Sequence, residues 1–142
     1  MNFKMKRILD GELTAEKVYD KILEDRSDDP QAFRLKQFKL NHQNAASFWK
    51  KQAQISGSIK TDTPDVWNKA VEAFMGASNT ILGEKNALKV VRKGEELALT
   101  TYEKMLSSDA LSAFQKEEIR NTFIPRQKRH IESISAMIKM AS

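Results

Sequence analysis

No cysteine occurs among the 142 residues, which excludes disulfides, thiolate zinc sites and cysteine nucleophiles. Five glycines and three prolines supply few turns, so long helices are expected rather than many short strands. No apolar run approaches the ~20 residues that a membrane span needs, and the basic stretch 1–10 lacks the apolar core of a signal peptide. The expectation is a cytoplasmic protein with no membrane partner. A phosphate-cradling glycine loop, a dinucleotide fingerprint and a nucleophile–histidine–acid arrangement are also missing, so hydrolase and nucleotide-dependent chemistry have no support.

What is present is ordinary for a soluble globular chain: 40% apolar and 30% charged residues, long enough for one domain with a real core. The net charge of +5 raises the question of nucleic acid. The bases, however, form only modest clusters, Lys50-Lys51 and Arg126 with Lys128 and Arg129, and 19 acids are interspersed among them. Without an aromatic-interleaved basic face or a reader motif, nucleic acid is not the expected partner.

One stretch occurs twice. Gly11, Glu12, Ala15, Tyr19, Lys21 and Leu23 recur at the same spacing as Gly94, Glu95, Ala98, Tyr102, Lys104 and Leu106, while Asp20/Glu103 and Ile22/Met105 match in kind. Roughly one identity would be expected in such a window, so an internal duplication is the better reading. On a 3.6-residue period Glu12 falls in line with Ile8, Ala15, Tyr19 and Ile22, and Glu95 with Val91, Ala98, Tyr102 and Met105. Each copy places one carboxylate inside an apolar stripe.

The remaining pattern predicts four long helices. The first covers 3 to about 25 and ends at an acidic cap before Pro30; the second runs from Pro30 to about 55, with Leu35, Phe38, His42, Ala45, Ala46 and Trp49 on its stripe. From about 57 to 83 the chain is less regular, and Val66, Trp67, Ala70, Val71 and Phe74 suggest a short helix within a long crossover. A third helix is expected over about 84–106, and a turn and cap at Ser107-Ser108-Asp109. The fourth then covers about 110–140, with Phe123, Gln127, His130, Ile134 and Met137 in line and a kink or local break at Pro125. The mid-helix glycines Gly11 and Gly94 each cost about 1 kcal/mol relative to Ala, which close helix approach or room beside an acid would offset. Two helical hairpins, about 3–56 and 84–140, therefore fold into an all-α four-helix bundle with pseudo-twofold symmetry.

The only two histidines, His42 and His130, lie on the stripes of equivalent helices, so each half supplies one interior Glu and one interior His. Glu12, His42, Glu95 and His130 would suit one divalent cation such as zinc, manganese or iron, with Tyr19 and Tyr102 hydrogen-bonding to the ligands. The bland reading is a metal-free polar core. A buried carboxylate needs a partner, and Lys39, one turn before His42, is placed either to neutralise an acid or to reach water.

Four helices, a long crossover, a repeat, and Glu and His on equivalent helices together resemble the ferritin-like superfamily. The segments Ile8–Tyr19, Lys89–Tyr102 and Ile124–His130 are similar to a small bacterial branch of it, of unknown function. The resemblance implies an up-down-down-up topology. It matches Glu12 and Glu95 to the single carboxylates of helices 1 and 3, and His42 and His130 to the histidines of Glu-x-x-His motifs on helices 2 and 4. Where those motifs carry a bridging Glu, this chain has Lys39 and Gln127. Two metals ~3.5–4 Å apart need such bridges, so di-iron oxidase or ferroxidase activity is not expected. Two readings remain: a metal-binding or stress-associated accessory protein, or a non-enzymatic structural module that self-associates or docks a protein partner.

Overall fold

The structure, a computed structural model, describes residues 3–24, 30–55 and 79–141. Every regular element within them is helical: α1 (Phe3–Leu23), α2 (Pro30–Ile55), α3 (Asn79–Met105), α4 (Ala113–Glu118), a π-helical stretch (Ile119–Phe123) and α5 (Ile124–Met140). The predicted acidic break before Pro30, the Ser56-Gly57-Ser58 stop and the short helix around Trp67 lie outside the described residues. No helix among those described is long and apolar enough to cross a membrane.

Local chemistry accounts for most boundaries. Pro30 stands at the first position of α2, where its missing N–H costs nothing. The regular part of α3 starts at Glu84, because Gly83 (φ 71°, ψ 160°) takes a left-handed turn that a side chain would disfavour. The cap of α4 is Ser112 rather than the expected Ser107-Ser108-Asp109. The Gln115 N–H donates to Ser112 Oγ at 3.1 Å, and the Ser112 N–H donates to Gln115 Oε1 at 2.9 Å. Pro125 neither breaks nor ends the helix. The backbone ahead of it widens by one residue, with the Ile124 N–H donating to the Ile119 carbonyl, and right-handed helix continues into α5.

The helices pair antiparallel. Glu12 meets His42 and Asp20 meets Lys39 across α1 and α2; Glu95 meets His130 and Arg92 meets Ser135 across α3 and α5. Between the two hairpins, Glu12 meets Tyr102, and His42 meets His130.

Two apolar clusters fill the interior. One gathers Val18, Ile22, Leu35, Val91 and Ile134; the other gathers Met5, Ile8, Trp49, Met105, Ile119 and Phe123. Along each of α1, α2, α3 and α5, a buried Glu or His falls between the stretches that feed the two clusters, and α1 buries Asp10 there as well. The bundle is thus dry at both ends and polar across its middle.

Candidate metal centre

The polar middle consists of the four residues the sequence singled out, all at most 4% exposed: Glu12, His42, Glu95 and His130. His42 lies at its hub. Its Nδ1–H donates to Glu12 Oε2 at 2.6 Å, and its Nε2 is 2.7 Å from Glu95 Oε1, at ion-pair distance but out of hydrogen-bond alignment. The other Glu95 oxygen accepts from His130 Nδ1 at 2.5 Å. Farther along, Tyr102 Oη donates to Glu12 Oε1 at 2.9 Å, and Trp49 Nε1 donates to Tyr102 Oη at 3.1 Å. His130 Nε2 lies 2.9 Å from the Asn41 side-chain amide. The chain of contacts from Asn41 to Trp49 crosses the whole interior.

These contacts set the protonation. Burial alone would lower the His42 pKa, but the carboxylates of Glu95 and then Glu12 outweigh it and raise it to about 10. Burial alone would likewise raise the Glu95 carboxyl; His42 first and His130 second hold it well below the usual carboxylate range. His130 is lowered, because burial outweighs the attraction of Glu95. The two imidazoles therefore differ: His42 is an imidazolium and His130 is neutral near pH 7. A neutral His130 that donates Nδ1–H to Glu95 must accept at Nε2, so the Asn41 amide presents its N–H there, a half-turn about χ2 exchanging its oxygen and nitrogen.

The supporting residues are arranged partly as expected. Tyr102 holds the acid of the other hairpin rather than that of its own helix. Tyr19 stacks on the His42 ring at 5.4 Å and lies beside Glu95 without an aligned hydrogen bond. Burial raises both phenols well above their ordinary pKa, Glu95 adding for Tyr19 and Glu12 for Tyr102, so both stay protonated. Gln127 donates through Nε2 to the Glu95 backbone carbonyl at 3.1 Å. Of the two placements open to Lys39, an interior acid or water, the fold takes the outward one. Its ammonium pairs with Asp20 on the outer side of the α1–α2 hairpin, where the chain keeps it partly in water.

Sequence reasoning missed Asn41 and Arg126. Asn41 sits next to His42 off the apolar stripe, and Arg126 reads as one member of a basic cluster. In the fold Arg126 is half-buried, 5.8 Å from the centre of the Phe123 ring, with its guanidinium donating to the Asn41 carbonyl at 3.4 Å.

The donor set fits a metal ion in kind. His42, Glu95 and His130 each offer a ligand atom within 4.8 Å of the others, and Glu12 joins through His42. Metal–ligand bonds of about 2.0–2.2 Å require these side chains to draw inward and His42 to give up a proton. Comparisons with family models, with curated proteins and with solved structures find no match to the chain.

Proposed function

We propose that this chain is a ferritin-like bundle that binds one divalent transition-metal cation between Glu12, His42, Glu95 and His130, as a metal-binding accessory protein rather than an oxidase. The observation that carries the reading is the gathering of His42, Glu95 and His130 within 4.8 Å in a dry interior, with Glu12 2.6 Å from His42. Charge supports it as well. Two carboxylates carry a formal −2, of which the His42 imidazolium offsets one and a divalent cation would offset both, so uptake exchanges a proton for metal.

The helix directions support the ferritin-like part. The apolar clusters are met in one order along α1 and α5 and in the reverse order along α2 and α3, which is the up-down-down-up sense. The exchange of Tyr102 to Glu12, matched by Tyr19 beside Glu95, is what a duplicated hairpin with pseudo-twofold symmetry would produce.

Di-metal chemistry is not part of the proposal. Lys39 faces Asp20 and Gln127 is a neutral amide, so neither position supplies a carboxylate to bridge two cations. A metal-free polar core is the second reading, favoured by the unbroken run of contacts from Asn41 to Trp49, which already pairs both acids. Metal analysis of protein purified without chelator separates the two. The metal reading expects about one equivalent of zinc, manganese or iron per chain, lost in Glu12→Ala and in His130→Ala. Less than a tenth of an equivalent, unchanged by either substitution, leaves the metal-free core as the answer.

A further inference from the structure

One cavity borders the centre. It is about 10 Å³ in volume, close to the minimum that holds a single water molecule, and it is partly open to the outside. Glu12, His42 and His130 wall it on the inner side; Asn41, Tyr102 and Arg126 are among the residues that complete it. Glu95 is not part of this wall, so the cavity lies to one side of the cluster, against Glu12, His42 and His130.

Arg126 gives the cavity its character. The guanidinium makes no ion pair with any described residue; its contacts are the Phe123 ring and the Asn41 carbonyl, both neutral. Its positive charge nevertheless reaches the Tyr102 hydroxyl, which it favours in the ionised direction. One divalent cation offsets the two carboxylates in full. Arg126 is then the one uncompensated charge beside a partly open cavity, and a half-buried cation favours a neighbouring anion.

We propose that, once a divalent cation is bound, this cavity takes a single small monoanion, such as hydroxide or azide, as an exchangeable ligand that Arg126 retains through its charge. The inference rests on the metal reading above and adds to it a coordination position that the four protein ligands do not fill. A metal held by protein side chains alone has no place for an outside ligand, whereas one with a neighbouring cavity does. The size of the cavity excludes bulky anions, and only the open side leaves room for the far end of a linear one.

Cobalt(II) supplies a visible signal for the test. The protein is titrated with cobalt(II), and the loaded protein is then titrated with azide, in the original chain and in Arg126→Met, Arg126→Lys and the exposed-charge control Lys128→Met. The expected result is a saturable azide-induced change in the ligand-field bands. Arg126→Met should weaken azide binding about tenfold or more, as loss of a charge-assisted contact does, while cobalt affinity stays within about threefold. Arg126→Lys should restore most of the azide affinity, and Lys128→Met should leave it unchanged. Circular dichroism of each variant checks that the helices are intact. Cobalt binding with no azide response overturns this inference and leaves the metal reading standing, as does an azide response that Arg126→Met does not alter. Failure to bind cobalt overturns both.

Discussion

At the residue scale, His42 and Tyr102 determine whether the interior acids can be tolerated. A buried polar group left without its partner costs the desolvation of that group, about 1–3 kcal/mol, far more than the net value of an ordinary hydrogen bond. Tyr102 Oη serves two neighbours, accepting from Trp49 and donating to Glu12. Tyr102→Phe strips that partner from both the Trp49 N–H and Glu12 Oε1 and should therefore destabilise the fold by at least about 1–3 kcal/mol, the range for a single unsatisfied group. Trp49→Phe in that background should cost less than it does alone, because the indole N–H has already lost its acceptor. Urea unfolding of the two single variants and the double variant measures the coupling, and strict additivity would show that the Trp49–Tyr102 contact carries no energy.

The four central side chains were legible in the sequence for a specific reason. An acid or imidazole at a 3.6-residue repeat within an apolar stripe has no route to water, so burial of Glu12, His42, Glu95 and His130 follows from periodicity alone. Asn41 and Arg126 were not legible, because neither occupies a stripe. Their roles depend on how closely α2 approaches α5, a tertiary distance that no local pattern encodes. Lys39 is an instructive intermediate case. Three residues before His42 it sits at the edge of the stripe, and the position of Asp20 on the neighbouring helix decides that it turns outward.

At the scale of elements, periodicity located the helices while side-chain hydrogen bonding set their ends. The α2 limits agree with expectation at both ends, and Gly83 marks the start of regular α3 within one residue of where it was expected. The turn falls at Ser107-Ser108-Asp109 as expected, but the cap does not, because that stretch resembles a cap only by composition. The reciprocal signature Ser112-x-x-Gln115, also present in the sequence, is the one the fold uses. Ser112→Ala should cost about 1 kcal/mol by removing the acceptor for the Gln115 N–H, whereas Ser107→Ala should fall within about 0.5 kcal/mol of the original chain. Thermal unfolding of the pair distinguishes the two capping assignments. The π stretch had only Pro125 as a clue. The local break in hydrogen bonding expected there takes the form of one extra residue in the turn upstream, and Phe123, Gln127 and His130 remain buried.

At the scale of the whole molecule, the interior charges tie stability to pH. His42 has a folded pKa of about 10 against an unfolded value of about 6.5, so its contribution is complete below pH 6.5 and is lost as pH rises through 10. Glu95 is shifted the other way, so its contribution is present above the unfolded carboxyl value and fades as pH falls beneath it. His130, being lowered, also favours the fold above pH 6.5 and opposes it below. The chelator-treated protein should therefore be most stable near pH 6.5. From there to pH 10 the His42 contribution should decline with a slope of at most about 1.4 kcal/mol per pH unit, one proton's worth. Urea midpoints collected between pH 5 and 10 check the position of the maximum, and stability that climbs steadily from pH 7 to 9 would contradict the assignment of His42 as an imidazolium.

The exchange of phenols across the middle of the bundle has a mechanical consequence. Tyr102 on α3 secures the acid of α1, and His42 on α2 touches both carboxylates, so the hairpins are stitched to each other rather than merely stacked. Pulling them apart would strand charge on both torn faces at once. A molecule sewn in this way should give way as a single unit, and two fragments divided between its hairpins should each be poorly folded until they meet.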